Sequence, residues 1–213
     1  MIDKEQIKSE FREYLNRGKL NEMSPVRMIG NAPFESLGNS SKSETALNDD
    51  FYKIDELDKE HLVYKHKTLG LIIVVRKYTD LIFNEERWAT IAELSFKSVK
   101  VKSSNKLIHD KEAVQLNTIN VRESDRKNRI ATRLYLLLAE RFLVISDSIQ
   151  YEGAVKLWKS FTKIPGIVLY IWNEKEDKII SKMTAKTHDN VIWSNGDLGD
   201  YSKMSTKLIL TLK

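Results

Sequence analysis

The stretch INVRESDRKNRIATRLYLLLAERFLVISDS, residues 119–148, is the part of the sequence that decides the fold. A short apolar segment leads into a basic turn, and the turn leads into a long apolar segment and a second short apolar run. Within the long segment, apolar residues recur at spacings of three and four, which predicts a helix with one face in the core. These residues are Ile130, Leu134, Leu137, Leu138 and Phe142. The basic turn between strand and helix is therefore the first candidate for a ligand site.

The turn places basic residues where the electrostatics of a helix disfavour them. They are Arg126, Lys127, Arg129 and Arg133. The helix dipole favours acids at this end, so something should offset the cost. A bound phosphate would do so, because the free N–H groups of a helix start already point at an anion. The alternative is an exposed basic turn balanced by Glu123 and Asp125. The position between a strand and an apolar helix favours the phosphate site.

Length and composition limit the classes of protein to consider. At 213 residues without a separating linker, one main domain with an appendage is expected. Cysteine is absent, which excludes disulfides, a thiol nucleophile and Cys-based metal sites. The four histidines show no metal-binding spacing, so no metal site is expected. No apolar run approaches the ~20 residues needed to cross a bilayer, so we expect a cytoplasmic protein with no membrane partner.

The charge of the chain bears on whether it binds polyanions. The net charge of +5 is the difference between 35 basic and 30 acidic residues, which are spread along the chain rather than collected in a tail. This excess gives only weak support to nucleic acid as a partner. A local anion site is the better interpretation.

The chain is predicted to divide into an N-terminal extension, residues 1–50, and a body, residues 51–213. Helical spacing of apolar residues predicts a short amphipathic helix over residues 3–17, which Gly18 would end. Residues 21–50 are rich in Ser, Asn and Gly, and we interpret them as a loop.

The body alternates strand and helix patterns. Strands rich in β-branched residues are predicted within residues 61–78, 87–101 and 115–124, with turns near His66 or Gly70 and at residues 84–86. They are followed by a helix at 127–142, a strand at 143–147, a helix at 151–162, a strand at 166–173 and a final strand at 207–212. This order predicts an α/β fold with a mixed, mainly antiparallel sheet flanked by helices.

Residues 121–135, VRESDRKNRIATRLY, resemble the acyl-CoA-binding segment of the GNAT superfamily of N-acyltransferases. The family pattern is Val, then Q/R-x-x-G-x-G/A, then an apolar helix that often contains Leu-Tyr. The matching residues are Arg126, Ile130, Ala131, Leu134 and Tyr135. Downstream, YEGAVKLWKSF is similar to the family's N-x-x-A-x-x-L-Y helix at Ala154 and Leu157. The resemblance covers roughly residues 60–213 and implies a GNAT-like fold.

The resemblance also implies a function. It points to an acyl-CoA-dependent N-acyltransferase that uses acetyl-CoA as co-substrate, with an amine acceptor that the sequence does not identify. In the family, backbone amides of the turn hold the pyrophosphate of acetyl-CoA. Carried over to this chain, the cofactor-binding residues are Val121, Arg126, Lys127, Asn128, Arg129, Ile130, Ala131 and Thr132.

Three positions depart from the family pattern. Arg129 stands where the family usually has its first glycine, which a non-glycine residue can replace if its φ is negative. Trp158 stands where many members carry the tyrosine proposed to protonate the leaving thiolate, and an indole N–H cannot act as that acid. Tyr151 replaces the usual asparagine, and would either restore a phenol to the site or simply pack.

Acyl transfer to an amine needs a base, an oxyanion donor and an acid for the leaving sulfur. Glu93 lies in the apolar strand ATIAELSF and is the candidate base, unless its side chain faces outward. Ser146 and Asp147 end a strand where α/β folds tend to place ligands, although Asp147 would alternatively cap the next helix. Tyr151 is the candidate acid.

Two alternatives come from other classes of protein. One is a GNAT fold that has lost catalysis and acts as a binding or interaction module. The other is a GNAT-like enzyme that modifies a nucleic-acid base, as some phage proteins of the superfamily do. The Lys- and Asn-rich composition is typical of a phage or low-GC bacterial source, in which case the location would be the host cytoplasm.

Overall fold

The structure is a computed structural model, and it describes residues 26–28, 41–42, 44–80, 85–101, 104–106, 108–109, 112–147, 149–193 and 206–212. The strands are β1 (Val26–Met28), β2 (Ser41–Lys42), β3 (Phe51–Asp58), β4 (His61–His66), β5 (Leu71–Asp80), β6 (Glu85–Lys100), β7 (Glu112–Val121), β8 (Leu143–Ile145), β9 (Ile149–Tyr151), β10 (Ile167–Asn173), β11 (Lys178–Lys182) and β12 (Thr206–Leu212). The helices are α1 (Glu44–Asp50), a 3-10 helix (Glu123–Asn128), α2 (Ile130–Ala139), α3 (Glu152–Phe161) and α4 (Asp189–Ile192).

The chain forms two compact units. The first, called the turn unit, contains the described residues within Phe34–Val99 and Glu112–Phe142. The second, called the C-terminal unit, contains the described residues within Lys100–Lys111 and Leu143–Lys213 together with β1. The sequence predicts a different division, between residues 1–50 and 51–213, which stays a prediction.

The turn unit is built on an antiparallel meander. Strands β3 to β7 are neighbours in sequence order, and the pairing from β3 to β6 is antiparallel throughout. One face of this sheet carries a core cluster that α1 helps to form through Leu47, together with Phe51, Tyr64, Ile73, Val75 and Trp88. Helix α2 contacts β3 and β7. It buries Ile130, Leu134, Tyr135 and Leu138, which recur at helical spacing.

The turn between β4 and β5 depends on a close backbone approach. The Phe96 N–H donates to the Gly70 carbonyl at 2.8 Å. A Cβ on Gly70 would lie 2.0 Å from the Phe96 carbonyl oxygen, so only glycine fits without a shift. The predicted turn near Gly70 is confirmed.

The C-terminal unit contains a second antiparallel arrangement. In it, β12 lies between β8 and β10, and β11 pairs with the other side of β10. The short strands β1 and β9 pair in parallel. Helix α3 buries Val155, Trp158 and Phe161 on one face.

The prediction of an α/β fold with mainly antiparallel strands is confirmed, whereas a GNAT-like arrangement of the helices stays a prediction. The predicted helix at 127–142 is observed as the 3-10 helix followed by α2, and the two are separated by Arg129. Residues 26–28 and 41–42 form β1 and β2, so the prediction of a loop across 21–50 is wrong in those parts. It is also wrong at residues 44–50, which form α1. Its sequence, ETALNDD, has too few apolar residues to show a period, and Leu47 alone anchors it in the core. The predicted helix at 3–17 lies outside the described residues.

None of the helices within the described ranges is long and apolar enough to span a membrane.

Candidate functional site

The basic turn joins β7 to α2 through a left-handed residue. After Val121, the 3-10 helix runs to Asn128, and Arg129 then adopts φ 55° and ψ 29° before α2 begins. The condition under which a non-glycine residue replaces the family's glycine, a negative φ, is therefore not met at Arg129. Arginine holds here the backbone conformation that suits glycine, at a cost of about 1–2 kcal/mol. No side chain caps the start of α2, so its first N–H groups remain available to a ligand.

A buried carboxylate ties the turn to β5 on the N-terminal side of Arg129. Asp125 is 1% exposed, and its Oδ1 accepts a hydrogen bond of 3.0 Å from Nη1 of Arg76. Its Oδ2 accepts a bond of 2.7 Å from the hydroxyl of Ser124. The Asp125 N–H donates to the carbonyl of Arg122 at 2.9 Å. Because both carboxylate oxygens are engaged, Asp125 fixes the turn against the middle of the sheet.

A second carboxylate holds the chain on the C-terminal side of Arg129. Arg133 of α2 donates from Nη1 to Oδ2 of Asp58 at 2.7 Å. Oδ1 of Asp58 accepts from the backbone N–H groups of Glu60 and His61 and lies 2.7 Å from Nδ1 of His61. Desolvation acts to raise the pKa of Asp58, but the bonds from Arg133 and His61 outweigh it and hold that pKa well below its usual range.

The remaining basic residues of the turn have no acidic partner among the described residues. They are Arg122, Arg126, Lys127 and Arg129. Arg122 donates to the carbonyl of Thr90 at 2.9 Å, and Arg126 donates to the carbonyl of Val121 at 3.3 Å.

The acids of the turn do not balance this positive charge. Asp125 is committed to Arg76, which comes from another strand. The exposed carboxylate of Glu123 makes no ion pair with any residue that the structure describes. Within the described ranges, no ion pair therefore joins the acids of the turn to Arg126, Lys127 or Arg129.

Glu93 belongs to the same unit but lies on the other face of the sheet. It is half-buried in β6 and pairs across the strands with Ile73, which belongs to the core cluster on the α1 face. Arg76 lies three residues further along β5, so its side chain points to the opposite face, toward Asp125. Within the described residues Glu93 has no ion pair.

A polar neighbour from β7 lies beside Glu93. The Ser95 and Thr118 hydroxyls are 2.7 Å apart, and the Arg122 N–H donates to the Ile91 carbonyl at 2.8 Å. Ser95 lies two residues after Glu93 and Ile91 two residues before it. The two contacts therefore place Asn120, midway between Thr118 and Arg122, opposite Glu93 on the neighbouring strand. Ile91 also forms a bulge in β6, because Thr90 and Ala92 pair with consecutive residues of β5.

The other predicted catalytic residues belong to the C-terminal unit. Ser146 is fully buried, and its hydroxyl accepts from the Leu208 N–H at 3.0 Å, which extends the pairing of β8 with β12. Asp147 follows half-buried, and β9 separates it from α3, so the alternative that it caps this helix is wrong. Tyr151 ends β9 opposite Met28. Its side chain lies outside the described part of the structure, so its role as an acid stays a prediction.

Trp158 is a core residue. It is 1% exposed, and its ring packs edge-on against Phe161 with centroids 5.9 Å apart. The indole of Trp158 therefore fills space in the interior.

Sequence reasoning missed the distant partners that hold the turn in place, Asp58 and Arg76. Asp58 and Arg133 are 75 positions apart, and Arg76 and Asp125 are 49 apart, so neither pair has a local signature. One local signal was available, since Asp58-Lys59-Glu60 just before the strand pattern of residues 61–78 is typical of a turn. No group of three or more His, Asp or Glu side chains that could hold a metal ion occurs within the described ranges.

Comparison with models of known protein families, with curated proteins and with solved structures found no match to this chain.

Proposed function

We propose that the chain is an acyl-CoA-dependent N-acyltransferase of the cytoplasm, with acetyl-CoA as the acyl donor and an amine as the acceptor. One observation carries the proposal. The strand–turn–helix that resembles the GNAT cradle has an uncapped helix start, a glycine-like backbone at Arg129 and basic side chains without acidic partners among the described residues. A pyrophosphate is the class of ligand that uses all three features.

Five residues on and after the 3-10 helix would hold the donor. The N–H groups of Ile130, Ala131 and Thr132 lie in the first turn of α2 and would bond the pyrophosphate oxygens. Arg126 and Arg129 would add charge-assisted bonds, each of about 1.5–3 kcal/mol. The left-handed Arg129 ends the 3-10 helix and precedes the first residue of α2. The N–H groups of the first turn of α2 would therefore be free to bond the ligand.

The transfer itself requires two proton movements. The amine nitrogen attacks the thioester carbon, the carbon–sulfur bond breaks, and an amide and a free thiol of CoA are formed. Glu93 is the proposed base that takes the proton of the amine, because it is a half-buried carboxylate without an ion pair among the described residues. Tyr151 or water would supply the proton for the thiolate, since Trp158 is buried and has no acidic group.

A second candidate is a GNAT-like module that binds an acyl-CoA or another anion without catalysis. Trp158 at the position of the family's general acid favours it, because that position belongs to the core. The location of Glu93 on the sheet face away from Asp125 favours it as well.

Calorimetry with acetyl-CoA and with desulfo-CoA tests the proposal. We expect both ligands to bind wild-type protein, and we expect Arg126→Ala and Arg129→Ala each to weaken binding by roughly tenfold or more. Arg141→Ala is the matched control, because Arg141 lies past the other end of α2 and pairs with Asp55. Release of free thiol in the presence of an amine distinguishes the enzyme from the binding module. Absence of binding up to about 1 mM ligand would contradict both candidates.

A further inference from the structure

The left-handed Arg129 must be held by its surroundings. Among the described residues it is one of two non-glycine residues with positive φ, and the other is Asp177. An aspartate can bond its own backbone in this conformation, whereas arginine has no such compensation. Conformations of this kind persist only where the neighbouring structure imposes them.

Two ion pairs bracket Arg129 at equal distances along the chain. Asp125, four residues before it, bonds Arg76 of β5, and Arg133, four residues after it, bonds Asp58 at the end of β3. Both partners belong to the antiparallel sheet of the turn unit. The segment that contains Arg129 is therefore fixed at both ends to strands of one sheet.

The two anchors differ in strength. Asp125 is buried, and both of its oxygens are bonded, so displacing it would leave a carboxylate unpaired in the interior. The Asp58–Arg133 pair is partly exposed, at 41% and 30% of the two side chains, and is the weaker of the two. Asp58 is itself oriented by two backbone N–H groups and by His61.

We infer that Asp125 and Asp58 are positioning residues that impose the left-handed conformation on Arg129, with Asp125 as the principal one. Through Arg76 and Arg133 they fix the backbone on either side of Arg129 and keep the first amides of α2 directed at the ligand before it binds. The inference rests on the proposed function for the identity of the ligand, but the strain and its cause belong to the protein alone.

The competing explanation is that Asp125 only stabilises the protein as a whole. A double-mutant comparison of Asp125 and Arg129 distinguishes this explanation from the inference. If Asp125 forces arginine into a left-handed conformation, Arg129→Gly relieves strain only while Asp125 is present. We expect Arg129→Gly to raise the Tm of the wild type by about 2 °C, and to leave Tm unchanged or lower it in Asp125→Asn protein. Equal shifts in the two backgrounds would overturn the inference, and this test needs no ligand.

The affinity for desulfo-CoA gives the second readout. We expect Asp125→Asn to weaken binding about tenfold when residue 129 is arginine, and by less than about threefold in the Arg129→Gly background, because glycine adopts the turn without help. A tenfold loss in both backgrounds would overturn the inference. Arg133→Gln, a milder change at the partly exposed pair, should show the same dependence on residue 129 with a smaller loss. Equal losses in both backgrounds for this variant would remove Asp58 from the inference.

Asp55→Asn is the matched control, because it removes the ion pair between Asp55 and Arg141, which lies past the far end of α2 from Arg129. It should leave the affinity unchanged, and a loss equal to that of Asp125→Asn would contradict the inference. If wild-type protein binds no desulfo-CoA, the proposed function fails, while the Tm comparison still decides whether Asp125 holds Arg129.

Discussion

Nδ1 of His61 lies 2.7 Å from Oδ1 of Asp58, and because a carboxylate only accepts, the imidazole is the donor. The other oxygen of Asp58 accepts from Arg133. One carboxylate at the β3–β4 turn thus joins a buried histidine to helix α2. The link between α2 and the β3–β4 turn through Arg133 therefore depends on the ionised form of Asp58.

Acid should weaken this junction. The folded-state pKa of Asp58 is depressed, because the bonds from Arg133 and His61 outweigh desolvation. A depressed carboxylate contributes stability above its unfolded pKa of about 3.9, and loses that contribution as pH falls toward the folded pKa. We expect urea unfolding to show wild type more stable than Asp58→Asn at pH 6, with the difference shrinking below about pH 4. A difference that stays constant from pH 6 to pH 2.5 would contradict this assignment.

Two glycines should respond to alanine in opposite ways. Gly70→Ala places a Cβ 2.0 Å from the Phe96 carbonyl oxygen and should destabilise the protein by more than about 1 kcal/mol. Gly153 lies in α3 with nothing within 4 Å of its added Cβ, so Gly153→Ala should stabilise it by about 0.5–1 kcal/mol. The measurement is thermal unfolding of the two variants side by side. Equal effects would show that the β4–β5 turn tolerates a side chain.

The role of Trp158 as a core residue predicts a large effect on stability. Trp158→Ala removes a side chain that is 1% exposed and should cost about 3–5 kcal/mol of unfolding free energy. Lys156→Ala, in the same helix with a side chain 73% exposed, is the control and should change stability by less than about 0.5 kcal/mol. Denaturant unfolding measures both. A loss of less than about 1 kcal/mol of unfolding free energy for Trp158→Ala would contradict the assignment of Trp158 to the core.

The proposed chemistry predicts separate losses for the base and the acid. Glu93→Gln should lower turnover by about 10²–10⁴-fold with affinity for CoA unchanged. Tyr151→Phe removes only a hydroxyl, and should lower turnover on the order of 10²-fold if the phenol protonates the thiolate. Single-turnover kinetics with acetyl-CoA and an amine provide the measurement. A rate equal to wild type for Tyr151→Phe would leave water as the acid.

Much of the fold was predictable because its elements have clear periods. The observed α3, β10 and β12 begin and end within a residue of the predicted bounds, since each has one buried face or a continuous apolar run. Strand β3 was missed, because only one of its eight residues is buried and its sequence, FYKIDELD, alternates poorly. Strand β3 lies at the edge of the sheet, so most of its side chains are exposed or half-buried and polar.

The site was predictable only in its local part. The basic turn, the strand before it and the apolar helix after it are contiguous in sequence, and the structure places them as predicted. The left-handed conformation of Arg129 was not predictable, because arginine does not favour positive φ by itself and the partners of the flanking ion pairs, Arg76 and Asp58, lie far away in sequence. The division of the predicted catalytic residues between two units has the same cause, since strand pairing is a long-range property.

Amide chemical shifts give the most direct test of the central claim, that the turn holds the pyrophosphate of CoA. In a titration of ¹⁵N-labelled protein with desulfo-CoA, the N–H signals of Ile130, Ala131 and Thr132 should shift most, and Arg129→Ala should reduce these shifts at equal ligand concentration. Arg141→Ala should leave them unchanged. Shifts confined to other parts of the chain, or no shifts at saturating ligand, would contradict the claim.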